Sequence, residues 1–251
     1  MTALAPARPV APGPTSPTLV ATRYLLRGFL RIAVWYAGAV VVLGVLIPLL
    51  ISRAGNVGVS IIEVSWQAGV WFAFSLSASF GVTYLGAHVS FGMTRRAYWQ
   101  GVLLAAFGFG AALALFQTAA LTLERWWYGA MGWSGTGAEG LVVSGDGLGA
   151  TTGRFLLLYF TAVVCGTVVS LVYTRFGGWV GTLTLPLSVG PLLAVGALLV
   201  EAGDESALAA LGVPVARVGA VGTAGALPVL ALLVVALILL VRGFRLTTPP
   251  R

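Results

Sequence analysis

Residues 221–241 read VGTAGALPVLALLVVALILLV, twenty-one residues without a charge, and Arg242 closes the run. At 1.5 Å per residue such a segment covers the roughly 30 Å hydrocarbon core of a bilayer. Working outward, the same scan finds five more apolar stretches, at about 28–51, 66–87, 98–121, 155–174 and 179–200. The second, WQAGVWFAFSLSASFGVTYLGA, is diluted by serine, glycine and glutamine, which suits a helix packed inside a bundle better than one bathed in lipid. The expected fold is therefore all-α: a polytopic membrane protein of six transmembrane helices, with an N-terminal amphipathic interfacial helix described below.

The composition agrees. Of 251 residues 59% are hydrophobic and 8% charged, with a mean hydropathy of +0.99, against about 25% charged residues in an ordinary soluble domain. The gaps between apolar stretches leave too little sequence for a folded soluble domain. The formal charge of +7 comes from arginine alone, and those arginines flank apolar segments instead of forming the phosphate-neutralising patch that a nucleic-acid partner requires. Cys165 lies in an apolar run, has no second cysteine to pair with, and reads as a packing residue. Residues 1–19 lack the continuous apolar core of a signal peptide and read as a disordered cytoplasmic tail; 20–245 form the six-span domain and 246–251 a second short tail.

Charge sets the expected orientation, because cytoplasmic loops are enriched in basic residues. With six spans the termini share a side, which holds ten arginines (Arg8, Arg23, Arg27, Arg31, Arg95, Arg96, Arg175, Arg242, Arg245 and Arg251) and no acid. The other side holds four arginines and all seven acids, Glu63 and Glu124 among them. Both termini are expected in the cytoplasm of a bacterial plasma membrane, with a long glycine-rich external loop at 122–154. The fifth-to-sixth connection has the pattern of a short interfacial helix, with acids leading.

Catalytic and cofactor chemistry finds little footing. GWSG, 132–135, matches the Gly-x-Ser-Gly of intramembrane serine proteases, but the charge division puts Ser134 and the single histidine, His88, on opposite sides of the bilayer. SGDGLG, 144–149, has no preceding strand and reads as a loop turn, and no Gly-x-x-x-x-Gly-Lys-Ser/Thr exists in a chain without lysine. One His, one Cys and acids confined to one side offer no metal cluster. No span carries a central Asp or Glu, which weakens a proton- or sodium-coupled transporter. No catalytic, cofactor-binding or metal-binding residue is expected, and no enzyme activity of the chain itself.

Small-residue spacings such as Gly177-Gly178 with Gly181 fit close helix packing. Pro48, Pro186, Pro191 and Pro228 interrupt apolar runs and can kink helices, the Pro186–Pro191 pair being the candidate hinge. In TLVATRYLLRGFLRI, Arg23, Arg27 and Arg31 recur at i, i+4 and i+8, opposite Leu25, Leu26, Phe29 and Leu30. A basic stripe facing an apolar one describes a helix at the cytoplasmic interface, or equally a positive-inside anchor.

The connection between the second and third spans carries the sharpest signal. HVSFGMTRRAYWQG, 88–101, sets Arg95 and Arg96 after a glycine and ahead of Tyr98 and Trp99, aromatics suited to the membrane interface. Two planar, always-charged donors in a short turn serve either as a topology signal or as a knob for an acidic groove on a cytoplasmic partner. FGMTRRAYWQG resembles the Gly-x-Ser/Thr-Arg-Arg-aromatic segment after the second span of ABC-transporter permeases of the type-2 exporter family. YTRFGGWVGTLTLP, 173–186, is similar to that family's fourth-to-fifth turn. The likeness covers about 20–245, is motif-like at 92–99 and architectural elsewhere; the long external loop departs from it.

The resemblance implies a permease subunit without its own ATPase domain, working with a separate cytoplasmic ABC ATPase and as a homo- or heterodimer with a second permease. It also implies ATPase-coupling roles for Arg23, Arg27, Gly92, Thr94, Arg95, Arg96, Tyr98 and Arg175. No cofactor and no nucleic acid are expected; membrane lipid is. The alternative is a non-transporting membrane anchor or accessory scaffold.

Overall fold

The chain folds, in a computed structural model, as an all-helical bundle with no strand among the described residues. Described are residues 16–53, 55, 57–58, 60–90, 94–133, 147–199 and 218–243, with helix backbone alone over 81–90 and 218–223. The helices are α1 (Pro17–Ser52), α2 (Ile61–Ser90), α3 (Arg95–Met131), α4 (Leu148–Leu183), α5 (Leu185–Leu199) and α6 (Val218–Arg242). They alternate in direction, so the α2–α3 and α4–α5 connections and the end of α6 gather at one end of the bundle, where Arg95, Arg96, Arg175 and Arg242 lie. The α1–α2 and α3–α4 connections, with Glu63 and Glu124, lie at the other.

Four helices are long and apolar enough to cross a membrane: α1, α3, α4 and the Ala224–Arg242 part of α6. The chain is accordingly an integral membrane protein by its helices. α5 is shorter, and the described part of α2 is diluted by Glu63, Ser65, Gln67 and three further serines. The face of α1 bearing Val34, Trp35, Val41 and Val42 and that of α6 bearing Leu232, Val235 and Leu239 are exposed, a surface that lipid solvates at no cost.

α4 is the central helix and packs against α2, α3, α5 and α6. Its buried run from Thr161 to Val169 includes Cys165, which is buried and free, as its apolar setting implies. α2 reaches α4 closely at Gly166, where a Cβ would collide with the Ser77 hydroxyl and the Phe74 carbonyl. With lipid outside, such backbone approach supplies the packing that burial supplies in water.

Two expectations change. Residues 20–31 are not set off as a separate interfacial helix: they are the beginning of the 36-residue α1, started by Pro17 in its first turn and by the Ser16 hydroxyl accepting the Leu19 N–H. The external loop is shorter than 122–154, because α3 continues to Met131 and α4 starts at Leu148. At 37 residues α3 is about 55 Å long, so its last turns project past the apolar core and end on an aromatic cluster of Trp127, Tyr128 and Trp133. The sharp bend is at Gly177, within the turn expected between 174 and 179, and the candidate hinge prolines Pro186 and Pro191 lie beyond it in α5. The Gly177 φ of 80° lies in the left-handed region that glycine enters without strain. Beyond it the chain doubles back so far that the Tyr173 hydroxyl meets Thr182 Oγ1 at 3.1 Å, where nine residues of straight helix would span about 13 Å. Pro186 falls in the first turn of α5, where its missing N–H costs nothing.

Residues 16–19, expected in the disordered tail, instead cap and begin α1; residues 1–15, the second tail and nearly all of the short helix expected between the fifth and sixth spans lie outside the described residues.

Candidate functional site

The arginine end assembles most of the residues singled out in the sequence. Thr94 is the N-cap of α3: its Oγ1 accepts the Ala97 N–H at 3.2 Å, satisfying a donor the helix cannot satisfy itself. The cap starts α3 immediately and leaves Arg95 and Arg96 exposed on its first turn. Arg95 turns toward α6 and donates from Nη1 to the Arg242 carbonyl at 3.0 Å, binding one of the free carbonyls at that helix's C-terminus with a cation.

Arg175 joins the same patch from α4. Its guanidinium stands 5.0 Å from the Phe176 ring centroid and lies against Gly243, where a Cβ would meet Nη1 at 2.5 Å. The guanidinium groups of Arg95 and Arg175, from segments far apart in sequence, thus both lie against the backbone at the end of α6, next to Arg242. The two acids among the described residues, Glu63 and Glu124, are both at the opposite end, so no described carboxylate neutralises the patch.

Arg23 and Arg27 are exposed on α1, while Ala21, Leu25, Phe29 and Ala33, four residues apart, form its buried line. That line docks on the start of α3: a Cβ on Gly101 would meet the Ala21 Cβ at 2.7 Å, and Thr18 Oγ1 lies 3.2 Å from Gln100 Oε1. The arginine stripe of α1 and the Arg95–Arg96 turn are therefore carried by one close helix crossing.

Tyr98 does not belong to the surface patch. It is 0% exposed, because it heads the buried line Tyr98, Val102, Ala105, Phe109, which lies on the side of α3 away from Arg96. Gly92 lies outside the described residues, as does Ser134. His88 belongs to the last turn of α2 at the arginine end, whereas α3 exits toward 134 at the other.

The opposite end holds a network that hydropathy alone did not disclose. Glu63 and Glu124 are not loop residues: both sit in helices and are buried, at 4% and 5% exposure. The Glu124 carboxylate accepts the N–H groups of Ile61 at 3.1 Å and Ile62 at 3.2 Å and a short hydrogen bond from the Ser60 hydroxyl. Ser60 Oγ in turn accepts the Glu63 N–H at 3.0 Å. Two turns back along α3, Gln117 donates to the Ile62 carbonyl at 2.6 Å and pairs with Ser65. Burial pushes the Glu63 carboxyl above its ordinary value; Arg125 pulls it back and Glu124 pushes it further up. The sequence did carry one signal, Ser60-x-x-Glu63, the spacing of a helix-starting capping box.

The arrangement offers a fixed end, tied by buried hydrogen bonds, and a basic end with exposed cations. Among the described residues no group of His, Cys, Asp and Glu could hold a metal ion. Comparison with protein-family models, with curated proteins and with solved structures gives no match to this chain.

Proposed function

We propose that this chain is the membrane subunit of an ATP-driven exporter, two such permease chains working with two separate cytoplasmic ATPase subunits. The observation that carries the reading is the junction of Arg95, Arg175 and Arg242, which joins the start of α3, the bend in α4 and the end of α6 in one basic patch with no carboxylate beside it among the described residues. A partner that presents acids there touches three helices at once. Closure of the ATPases would move those helices together, while the Glu124 network holds the far ends. In this reading both termini are cytoplasmic, six segments span the membrane, and Arg96, Arg23 and Arg27 extend the docking surface. The chain itself hydrolyses neither ATP nor peptides.

The test is purification of the full-length chain from its native membranes in mild detergent, after cross-linking from a cysteine at Arg96 in a Cys165→Ser background. A near-stoichiometric subunit with a Walker A loop, cross-linked at that position and hydrolysing ATP, supports the exporter. A correctly inserted chain that captures no ATPase supports the membrane anchor or scaffold instead.

A further inference from the structure

The reversal at Gly177 leaves a groove of about 650 Å³ between α4, α5 and α6. Val172, Val180, Leu187, Leu233 and Ala236 are among its walls, and Arg175 is the one charged residue among the described residues that line it. Along α6 it runs from Val229 to Leu240, roughly 16 Å at the helical rise and thus about half of a 30 Å hydrocarbon core. It has the depth of one leaflet. Trp179, 86% exposed, and Leu183 stand on the same hairpin; an outward tryptophan suits the level of lipid headgroups.

Charge then selects the occupant. Arg95 and Arg175 both lie on the end of α6 next to Arg242, with no described acid on that end, so a neutral amphiphile would fill the walls and leave that positive charge unmatched. A phosphodiester would match it through hydrogen bonds from the guanidinium, and basic pockets between transmembrane helices recognise anionic headgroups on this principle. A two-fold copy of the chain fits less well, since a self-complementary contact brings a second arginine patch toward the first. The apolar groove beside Trp126 and Trp127 at the other end offers no such selection: the one charged residue among its described lining, Glu124, is already engaged.

We propose that the α4–α5–α6 groove binds an anionic phospholipid, one acyl chain lying between the helices and the phosphate resting on Arg175. Arg175 belongs to both this site and the surface proposed for an ATPase, but lipid binding is measured on the chain alone and stands or falls without the ATPase reading.

Full-length protein, delipidated in detergent, is titrated by native mass spectrometry with phosphatidylglycerol, with phosphatidylcholine and with glycerol 3-phosphate. Phosphatidylglycerol should bind at least about fivefold more tightly than phosphatidylcholine, the factor that about 1 kcal/mol per arginine implies, and glycerol 3-phosphate should not compete. Arg175→Gln, at an exposed position, should abolish that preference and leave phosphatidylcholine binding unchanged. Ala236→Trp should block the chain-binding groove and lower binding of both lipids. Equal affinity for the two lipids, an undiminished preference in Arg175→Gln, or competition by glycerol 3-phosphate overturns the proposal. So does a disulfide between copies through Leu232→Cys in a Cys165→Ser background, in liposomes containing phosphatidylglycerol, since a second chain would then occupy the groove.

Discussion

Glu124, on α3, closes the N-terminus of α2 by accepting the N–H of Ile62 at 3.2 Å, together with that of Ile61 and the hydroxyl of Ser60. Helix N-termini leave donors unpaired and carry partial positive charge. Here a carboxylate from a neighbouring helix supplies the acceptor, so one side chain both caps α2 and fixes its register against α3. Glu124→Ala leaves those donors buried without it and should lower stability by about 3 kcal/mol, seen as a fall in the unfolding temperature in detergent. Glu124→Gln keeps an acceptor and should lose about 1 kcal/mol. An alanine variant that melts with the parent would show that the cap contributes nothing.

Glu63 gives a pH dependence whose sign is fixed by the fold. Its folded carboxyl titrates above the ordinary value of 4.5 because burial disfavours the charged form. The folded state therefore holds the proton more tightly than the unfolded one, and the associated stability is present below the ordinary value and lost as pH rises through the raised one. Melting temperature should fall over that window in the parent. Glu63→Gln should remove that component of the slope, and an unchanged profile would exclude Glu63 as its source.

These two acids also mark where sequence reading stops. Hydropathy located the helices because each needs some twenty apolar residues, and it placed the α4–α5 reversal at FGGW within a residue or two. It ended the apolar windows short of both acids because it scores a charge by its cost in lipid, and it has no term for a carboxylate that a neighbouring helix terminus satisfies, so their burial within helices was not legible. The reach of α3 to Met131 was hidden for the same reason: Glu124, Arg125 and the adjoining aromatics end an apolar window without ending a helix. Tyr98 was misplaced because an aromatic beside arginines suits a membrane interface as well as a core. The four- and three-residue spacing to Val102, Ala105 and Phe109 was the signal that it points inward. The meeting of Arg95, Arg175 and Arg242 depends on how three helix ends come together, which one chain's periodicity does not encode.

Two glycines carry the close packing of α4, for different reasons. Gly177 has a φ of 80° and open space around it, so Gly177→Ala adds backbone strain without a clash and should cost about 1–2 kcal/mol. Gly166 is helical but pressed on α2 by the Ser77 hydroxyl and the Phe74 carbonyl. Gly166→Ala must push the helices apart and should cost about 1–3 kcal/mol; Gly166→Leu should abolish the folded protein altogether. Unfolding in detergent ranks the series, and a leucine variant as stable as the alanine one would contradict the α2–α4 contact.

The paired substitution of Arg95 and Arg96 by glutamine separates docking from topology. Both residues are exposed, and exposed charges contribute about 1 kcal/mol or less to stability; Arg95 also loses its hydrogen bond to the Arg242 carbonyl. Insertion should survive, because eight of the ten arginines expected on the cytoplasmic side remain against four on the other. Partner binding should not. An acid on an ATPase that pairs with this patch would be left buried and uncompensated, at a cost on the order of 3–5 kcal/mol, enough to empty a complex of micromolar affinity. The expected result is a variant present in the membrane at the parental level that no longer retains an ATPase or supports stimulated hydrolysis. Parental retention and export by a correctly inserted double variant would reduce the two arginines to topology signals and remove the patch from the coupling surface.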